Sequence, residues 1–200
     1  VEERMKVSKD PTALLIPSSV VIVTVTRTAN ETNAMAVTLA GAVCVKPPMV
    51  AIGIGRFHYT REIIDSVNEF SLNIPSINHI DTVEFCGRVS GRDSPSKCES
   101  MGLTLVDSDQ LKFGKLIAQC PVNLECKVRE RMDLGSNILF IAEVVAVHID
   151  DNILDKKGNI DLSKMRPIIF DMTRTYWQVG RRIAEYGYLD LNDECQKMVR

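Results

Sequence analysis

Seven consecutive β-branched residues at positions 20–26 (VVIVTVT) constrain this chain more than any other stretch of it. Branching at Cβ restricts the side chain in a helix and favours the pleated conformation, and an unbroken run fits a strand buried on both faces. Residues 27–33 are polar and turn-like, and 34–40 (AMAVTLA) resume an extended pattern, so the pair reads as a hairpin. Pro47-Pro48 stops the next segment, and 49–54 (MVAIGI) form a further strand. Val122, Leu124, Cys126 and Val128 alternate with Asn123, Glu125, Lys127 and Arg129. This is the clearest period-two signal, and it predicts one dry face and one wet face. Residues 138–149 make a long strand, expected to bend across a barrel corner. Shorter strand candidates are 70–74, 103–106 and 167–170.

Helices are fewer. In 59–70 the apolar positions Ile63, Ile64, Val67 and Phe70 share one face, with Thr60 as the expected cap. Residues 76–86 repeat the pattern, with Ser76 as N-cap and Ile77, Ile80 and Val83 inward. A third, short helix is signalled by Ser94 at N-cap, Pro95 at N1 and Gly102 past its end. Many strands with helices inserted between them predict a mainly β fold, a barrel decorated with helices. One domain is expected across 1–200, with its core at about 11–170 and a charged, less patterned C-terminal arm at about 171–200.

Composition narrows the partners. With 45% apolar and 25% charged residues the chain can bury a real core, which argues against disorder. The net charge is −2 and Lys and Arg are spread along the chain, so no electrostatic footprint suits a nucleic-acid backbone. No apolar run reaches the roughly 20 residues that span a bilayer. Residues 1–6 are charged and lack a signal-peptide core, and the six cysteines (44, 86, 98, 120, 126, 195) form no CxxC. The expectation is a cytoplasmic protein with reduced, mostly structural thiols, whose partner is a small molecule or another protein.

Two segments carry candidate chemistry. Gly53-Ile54-Gly55-Arg56-Phe57-His58 follows a strand and precedes a helix, the context of a dinucleotide fingerprint, but His58 stands where the third glycine belongs. What survives is close backbone approach and a helix N-terminus open to an anion. Val89-Ser90-Gly91-Arg92-Asp93-Ser94-Pro95-Ser96-Lys97 joins a glycine, a guanidinium, hydroxyls, a helix start and a lysine, the groups a phosphate needs. From physics alone it reads equally as a solvated loop with a Ser-Pro cap. The three histidines (58, 79, 148) give no pair at metal-ligand spacing, and no GxSxG elbow is present.

The order of segments is more specific than any one of them. The VVIVTV strand leads to Asn33-Ala34-Met35-Ala36-Val37-Thr38, then to VKPPMVAI at 45–52 and Arg56-Phe57-His58-Tyr59-Thr60. FSLNIP at 70–75, Phe85-Cys86-Gly87 and Val89-Ser90-Gly91-Arg92-Asp93 follow. From about Pro11 to Gly187 this resembles the flavin reductase-like family, most closely its flavoredoxin and ferric reductase-like branch. The resemblance implies a Greek-key split β-barrel with noncovalent FMN near the interface of a homodimer. It also implies electron transfer from NAD(P)H or a redox protein partner to a flavin, ferric iron or protein acceptor.

By position, Asn33, Ala34, Met35, Ala36, Val37 and Thr38 would line the isoalloxazine and ribityl chain, partly through backbone groups. Gly53, Ile54, Gly55, Arg56, Tyr59 and Thr60 would border the cofactor, with Arg56 and Thr60 near its polar end. Cys86, Ser90, Arg92 and Lys97 match the phosphate-side motif, and Trp177 would cover a flavin face or anchor the tail. The flavin carries the hydride chemistry, so no catalytic side chain is implied. The alternatives are an electron carrier without NAD(P)H activity and a non-enzymatic β-barrel with another phosphate ligand at Arg92 and Lys97.

Overall fold

The β-branched run pairs on both sides. In a computed structural model, which describes residues 6–28, 31–186 and 188, it forms most of β2 (Val21–Thr28), after a two-residue β1 (Ser18–Ser19). Next come β3 (Glu31–Val37), β4 (Ala40–Cys44), β5 (Met49–Gly55), α1 (Tyr59–Val67) and β6 (Glu69–Ile74). A 3-10 turn at Ile77–His79 enters α2 (Ile80–Arg88), then α3 (Lys97–Ser100), β7 (Leu105–Asp107) and β8 (Lys115–Ile117). The long strands β9 (Val122–Asp133) and β10 (Asn137–Ile149) precede a 3-10 turn at Asp151–Ile153 and α4 (Leu162–Met165). Last among the described elements are β11 (Ile168–Phe170) and β12 (Tyr176–Gln178).

Seven strands form one antiparallel sheet in the order β3-β2-β6-β9-β10-β5-β4. β5 and β6 are neighbours in sequence, yet β9 and β10 lie between them, so α1 bridges the sheet. The sheet curls round a core of Val23, Ile52, Ile54, Phe70 and Phe140, which Ile63 and Ile64 of α1 close. The pairing of β10 with β9 shifts register twice, with the extra residue Arg129 on β9 opposite Ile141/Ala142 and Val145 on β10 between Val144 and Ala146, the irregularities by which strands bend. β1, β11 and β12 form a separate three-stranded sheet.

Several boundaries differ from the sequence reading. Polar residues 27–33 do not all turn: Thr26 pairs with Thr32 and Thr28 with Glu31, leaving only 29–30, outside the described residues, between strands. Their polarity serves cross-strand contacts, a Thr26–Thr32 hydroxyl pair at 3.0 Å and an Arg27–Glu31 ion pair at 3.1 Å. The expected strand 34–40 breaks between Val37 and Ala40. The expected helix 59–70 stops at Val67, because Asn68 turns left-handed (φ 57°) and Phe70 enters β6. His58, not Thr60, is its N-cap. Ser76 begins the 3-10 turn rather than α2, and α3 starts at Lys97, after Ser96, rather than beside Ser94. Strand β7 begins two residues later than the expected 103–106 candidate. Cys195, the charged residues 1–5 and the arm at 189–200 lie outside the described residues, as does Gly187, where the resemblance ends.

The expected wet face of β9 is dry in its first half only; Lys127 is half-buried and Arg129 exposed. Asn123 and Glu125 are buried, because the segment from β7 to β8 lies across them. Thr24 donates to the Lys115 carbonyl (2.6 Å), and Asn73 Nδ2 donates to the Ile22 carbonyl (2.9 Å) and to Thr24 Oγ1 (3.0 Å). Asn73 Oδ1 accepts from Ile117 N–H and from Asn123, both at 2.8 Å. Glu125, with no exposed surface, accepts from Asp109 N–H (2.9 Å) and Gln110 N–H (2.7 Å) and pairs with His148 Nε2 (2.8 Å). Alternation reported the two faces correctly, but polar side chains on one of them bind backbone instead of water. The described cysteines are free thiols, four of them buried; burial pushes Cys120 and Cys126 up to about 12, which fits packing.

Burial alone would raise the Glu125 pKa, but the two N–H donors and His148 outweigh it and hold the carboxyl below its ordinary 4.5. A depressed carboxylate stabilises the fold above its unfolded pKa, and that contribution is lost as pH falls through the folded value. Thermal midpoints should therefore drop more steeply below pH 4.5 in the parent chain than in Glu125→Gln. At pH 7 the variant should lose about 2 kcal/mol in urea unfolding, since one N–H is left facing an amide donor.

Candidate functional site

β3 is an edge strand, so among the described residues one side of its backbone has no strand partner. Beside it the N-terminal end of α1 and the C-terminal end of α2 enclose a chamber of about 250 Å³. Asn33 and Met35 line it from β3, residues 57–60 from the start of α1, 86–88 from the end of α2, 89–91 from the turn after it and Lys97 from the start of α3. A second chamber of about 300 Å³ adjoins it, lined by Glu31, Thr32, Arg92 and Pro95. Asn33, Tyr59 and Gly91 wall both. Only together do they reach well into the roughly 300–1,000 Å³ range of small-ligand pockets.

Two buried polar groups lack the partners they need. Lys97 is 2% exposed, and among the described residues its ammonium donates only to the Val89 carbonyl, at 2.7 Å. Burial pulls its pKa below the ordinary lysine value. A buried charge with one neutral acceptor is costly and calls for an anion or further acceptors. Asn33 is 4% exposed; its Nδ2 donates to Thr60 Oγ1 (2.7 Å), while its Oδ1 has no partner among the described residues. A Cβ on Gly91 would lie 2.0 Å from that oxygen, so only glycine lets the turn pass so close to Asn33.

Tyr59 stands between the chambers. Its hydroxyl donates to Glu31, and the Arg27 and Arg92 guanidiniums lie 5.7 and 5.3 Å from its ring centroid. The bond to Glu31 holds the phenol above its ordinary pKa. Arg92 also donates to Glu62, and its own N–H donates to Ser90 Oγ (3.1 Å).

Of the residues singled out in sequence, Asn33, Met35, Tyr59, Thr60, Cys86, Ser90 and Lys97 line the first chamber, and Arg92 the second. Ala34 and Val37 are core residues, and neither Ala36 nor Thr38 lines a chamber. Gly53, whose N–H donates to Leu39, lies in β5 with Ile54, which is core, and Gly55 packs on His58. Arg56 pins the β9–β10 turn through Gly135 and Asp133 rather than reaching the chambers. Trp177 lies in β12, bonded to Asp171 (2.8 Å), and lines neither chamber. Sequence reasoning missed Glu31, Thr32, Gly87, Arg88, Val89 and Pro95 as wall residues; Val89 and Pro95 stood inside the quoted motif, whereas Glu31 and Thr32 carried no local signal.

Residues 13–176 match the flavin reductase like domain. The chain belongs to the flavin reductase-like family. Among solved structures, the flavoredoxin of Desulfovibrio vulgaris (Miyazaki F) is 28% identical, with a TM-score of 0.85 over 91% of this chain and 97% of that one. The flavoredoxin of Methanosarcina acetivorans is also 28% identical, with a TM-score of 0.81 over 92% and 95%. An uncharacterized protein of Archaeoglobus fulgidus is 33% identical over 115 residues, 58% of this chain. The match spans 64% of that relative's length. The expected mainly β split-barrel fold is borne out. Among the described residues no helix is long and apolar enough to cross a membrane.

Lys97 allows a test that needs no ligand. Replacing a buried, poorly paired charge by an apolar chain of similar length is neutral or stabilising by about 1–4 kcal/mol. Lys97→Met should therefore raise the thermal midpoint of the ligand-free protein, read by calorimetry. A fall would mean that the ammonium supports the fold itself.

Proposed function

We propose that the chain binds FMN noncovalently across the two chambers and passes electrons from NAD(P)H or a protein donor to a flavin, ferric or protein acceptor. The observation that carries this reading is the buried Lys97 ammonium with its single carbonyl acceptor, beside the orphaned oxygen of Asn33. A ligand with an anionic end and ring N–H and hydroxyl donors would answer both needs. The residues present fit such a group: the open edge of β3 offers backbone donors and acceptors, and Gly91 leaves room beside Asn33.

Lys97, Ser90 and Arg92 would hold the phosphate, Lys97 as a fixed charge and Arg92 as a planar fork. Asn33 and Thr60 would orient the ribityl chain or ring edge, and Met35 would pack on the ring. When bound, the flavin supplies the exchange of a hydride or single electrons. The chain's own contribution would be orientation, exclusion of water and backbone N–H donors placed where the reduced ring is negative. Phe57, 86% exposed on the chamber rim, is an apolar surface that a second copy of the chain would cover, as the resemblance implies. In this reading the chain acts as a single domain, in the cytoplasm, where its thiols stay reduced.

The second reading is an electron carrier without its own NAD(P)H activity, favoured by the two flavoredoxins among the solved neighbours. Visible spectra of the purified protein, chromatography of the released chromophore and anaerobic NADH or NADPH addition separate the readings. FMN with bleaching supports a reductase; FMN that bleaches only with a protein donor supports the carrier. A colourless protein that cannot be reconstituted sinks both.

Arg92→Ala and Lys97→Ala should each weaken FMN by roughly 1.5–3 kcal/mol, about ten- to hundredfold, and riboflavin far less, because riboflavin lacks the phosphate. Titration by fluorescence quenching reads both. Equal weakening of the two ligands would remove these residues from the phosphate.

A further inference from the structure

We infer that Glu62 sets the charge selectivity of this site by holding Arg92 in a parked position at the second chamber. This rests on the flavin reading above. Glu62 lies in the first turn of α1, outside both chambers' linings. Its carboxylate accepts from the Arg92 guanidinium and stands 3.7 Å from that of Arg61. Arg92 is thereby laid along Tyr59, 5.3 Å from the ring centroid, on the wall of the second chamber.

The two candidate phosphate ligands therefore differ in kind. Lys97 is buried and fixed by the Val89 carbonyl, so it is available to any ligand that reaches it. Arg92 is half exposed, with 53% of its side-chain surface open, and already has an anion. A phosphate dianion shares Arg92 with Glu62, which already holds its Nη2 and offsets its charge. Riboflavin brings no competing charge, so it leaves the pair intact. Glu62 is thus a built-in rival for the phosphate, and it lowers the preference of the site for FMN over riboflavin.

Half-exposed ion pairs contribute little, so the rivalry is worth about two- to fivefold in affinity. Glu62→Gln keeps the size of a partly exposed side chain and removes the charge. Apoprotein is titrated with FMN and with riboflavin in the parent chain, Glu62→Gln, Arg92→Ala and the double variant. The expected result is FMN tightened two- to fivefold by Glu62→Gln, riboflavin unchanged, and no gain from Glu62→Gln once Arg92 is alanine. An unchanged or weakened FMN affinity in Glu62→Gln overturns the inference. So does a gain that persists without Arg92, which would be repulsion through space. A parent chain that binds neither flavin overturns the flavin reading and this inference with it.

Discussion

The side-chain amide of Asn73 is the junction on which the outer layer of this fold depends. It lies on β6, fully buried, and bonds at once to β2, β8 and Asn123 of β9. A seven-stranded sheet in a chain of 200 residues has more face than its inner core can cover. Towards β3 the outer face is apolar and packs through Val20, Ile22 and Ala34 on Val83 and Cys86 of α2. Towards β9 it is polar, and the segment from β7 to β8 is held by hydrogen bonds to Thr24, Asn73 and Glu125. A buried amide with each of its atoms bonded costs little and fixes register, whereas an unbonded one would cost a few kcal/mol.

That outer layer is what builds the chambers. α2 packs on β3, and the turn that follows it, residues 89–96, folds back to bring Lys97 beneath the edge strand. Cys98, one residue on, is core together with Cys86 and Ile117. The ammonium is therefore carried inward by the packing of its neighbours, into a place a lysine would not choose. On the proposed reading, stability and binding pull against each other at this position, as they do where a site is arranged for a ligand rather than for the fold. Gly91 shows the same tension in steric form, since any Cβ there would strike Asn33.

Periodicity was legible wherever a single element decided it. The β-branched run, the alternation in β9 and the length of β10 all follow from local pattern. What local pattern could not show is which face meets water, because Asn123 and Glu125 look solvent-facing until the segment across them is in place. Polar strand ends misled for the same reason: Thr32 and Glu31 have partners on β2, not in solvent. In the site, the segment 89–97 was legible because its glycine, hydroxyl and cations are contiguous. Glu31 and Glu62 were not, since their roles arise only from Tyr59 and Arg92 brought near by folding. Arg56 is the converse case, a cation beside two glycines whose partners lie 77 and 79 residues away in the β9–β10 turn.

Charge at the two chambers bears on how a ligand is kept rather than how it is found. The chain carries a net −2, and two carboxylates, Glu31 and Glu62, stand among the arginines nearest the second chamber. Such a surface offers little long-range attraction to a phosphorylated molecule, and 0.15 M salt screens what remains beyond about 8 Å. The buried groups escape that screening. On the proposed reading, Lys97 and Asn33 would act only on a ligand already inside, where low dielectric strengthens each contact and the need to break it slows escape. Affinity would then be a matter of dissociation, governed by the residues with the least exposure.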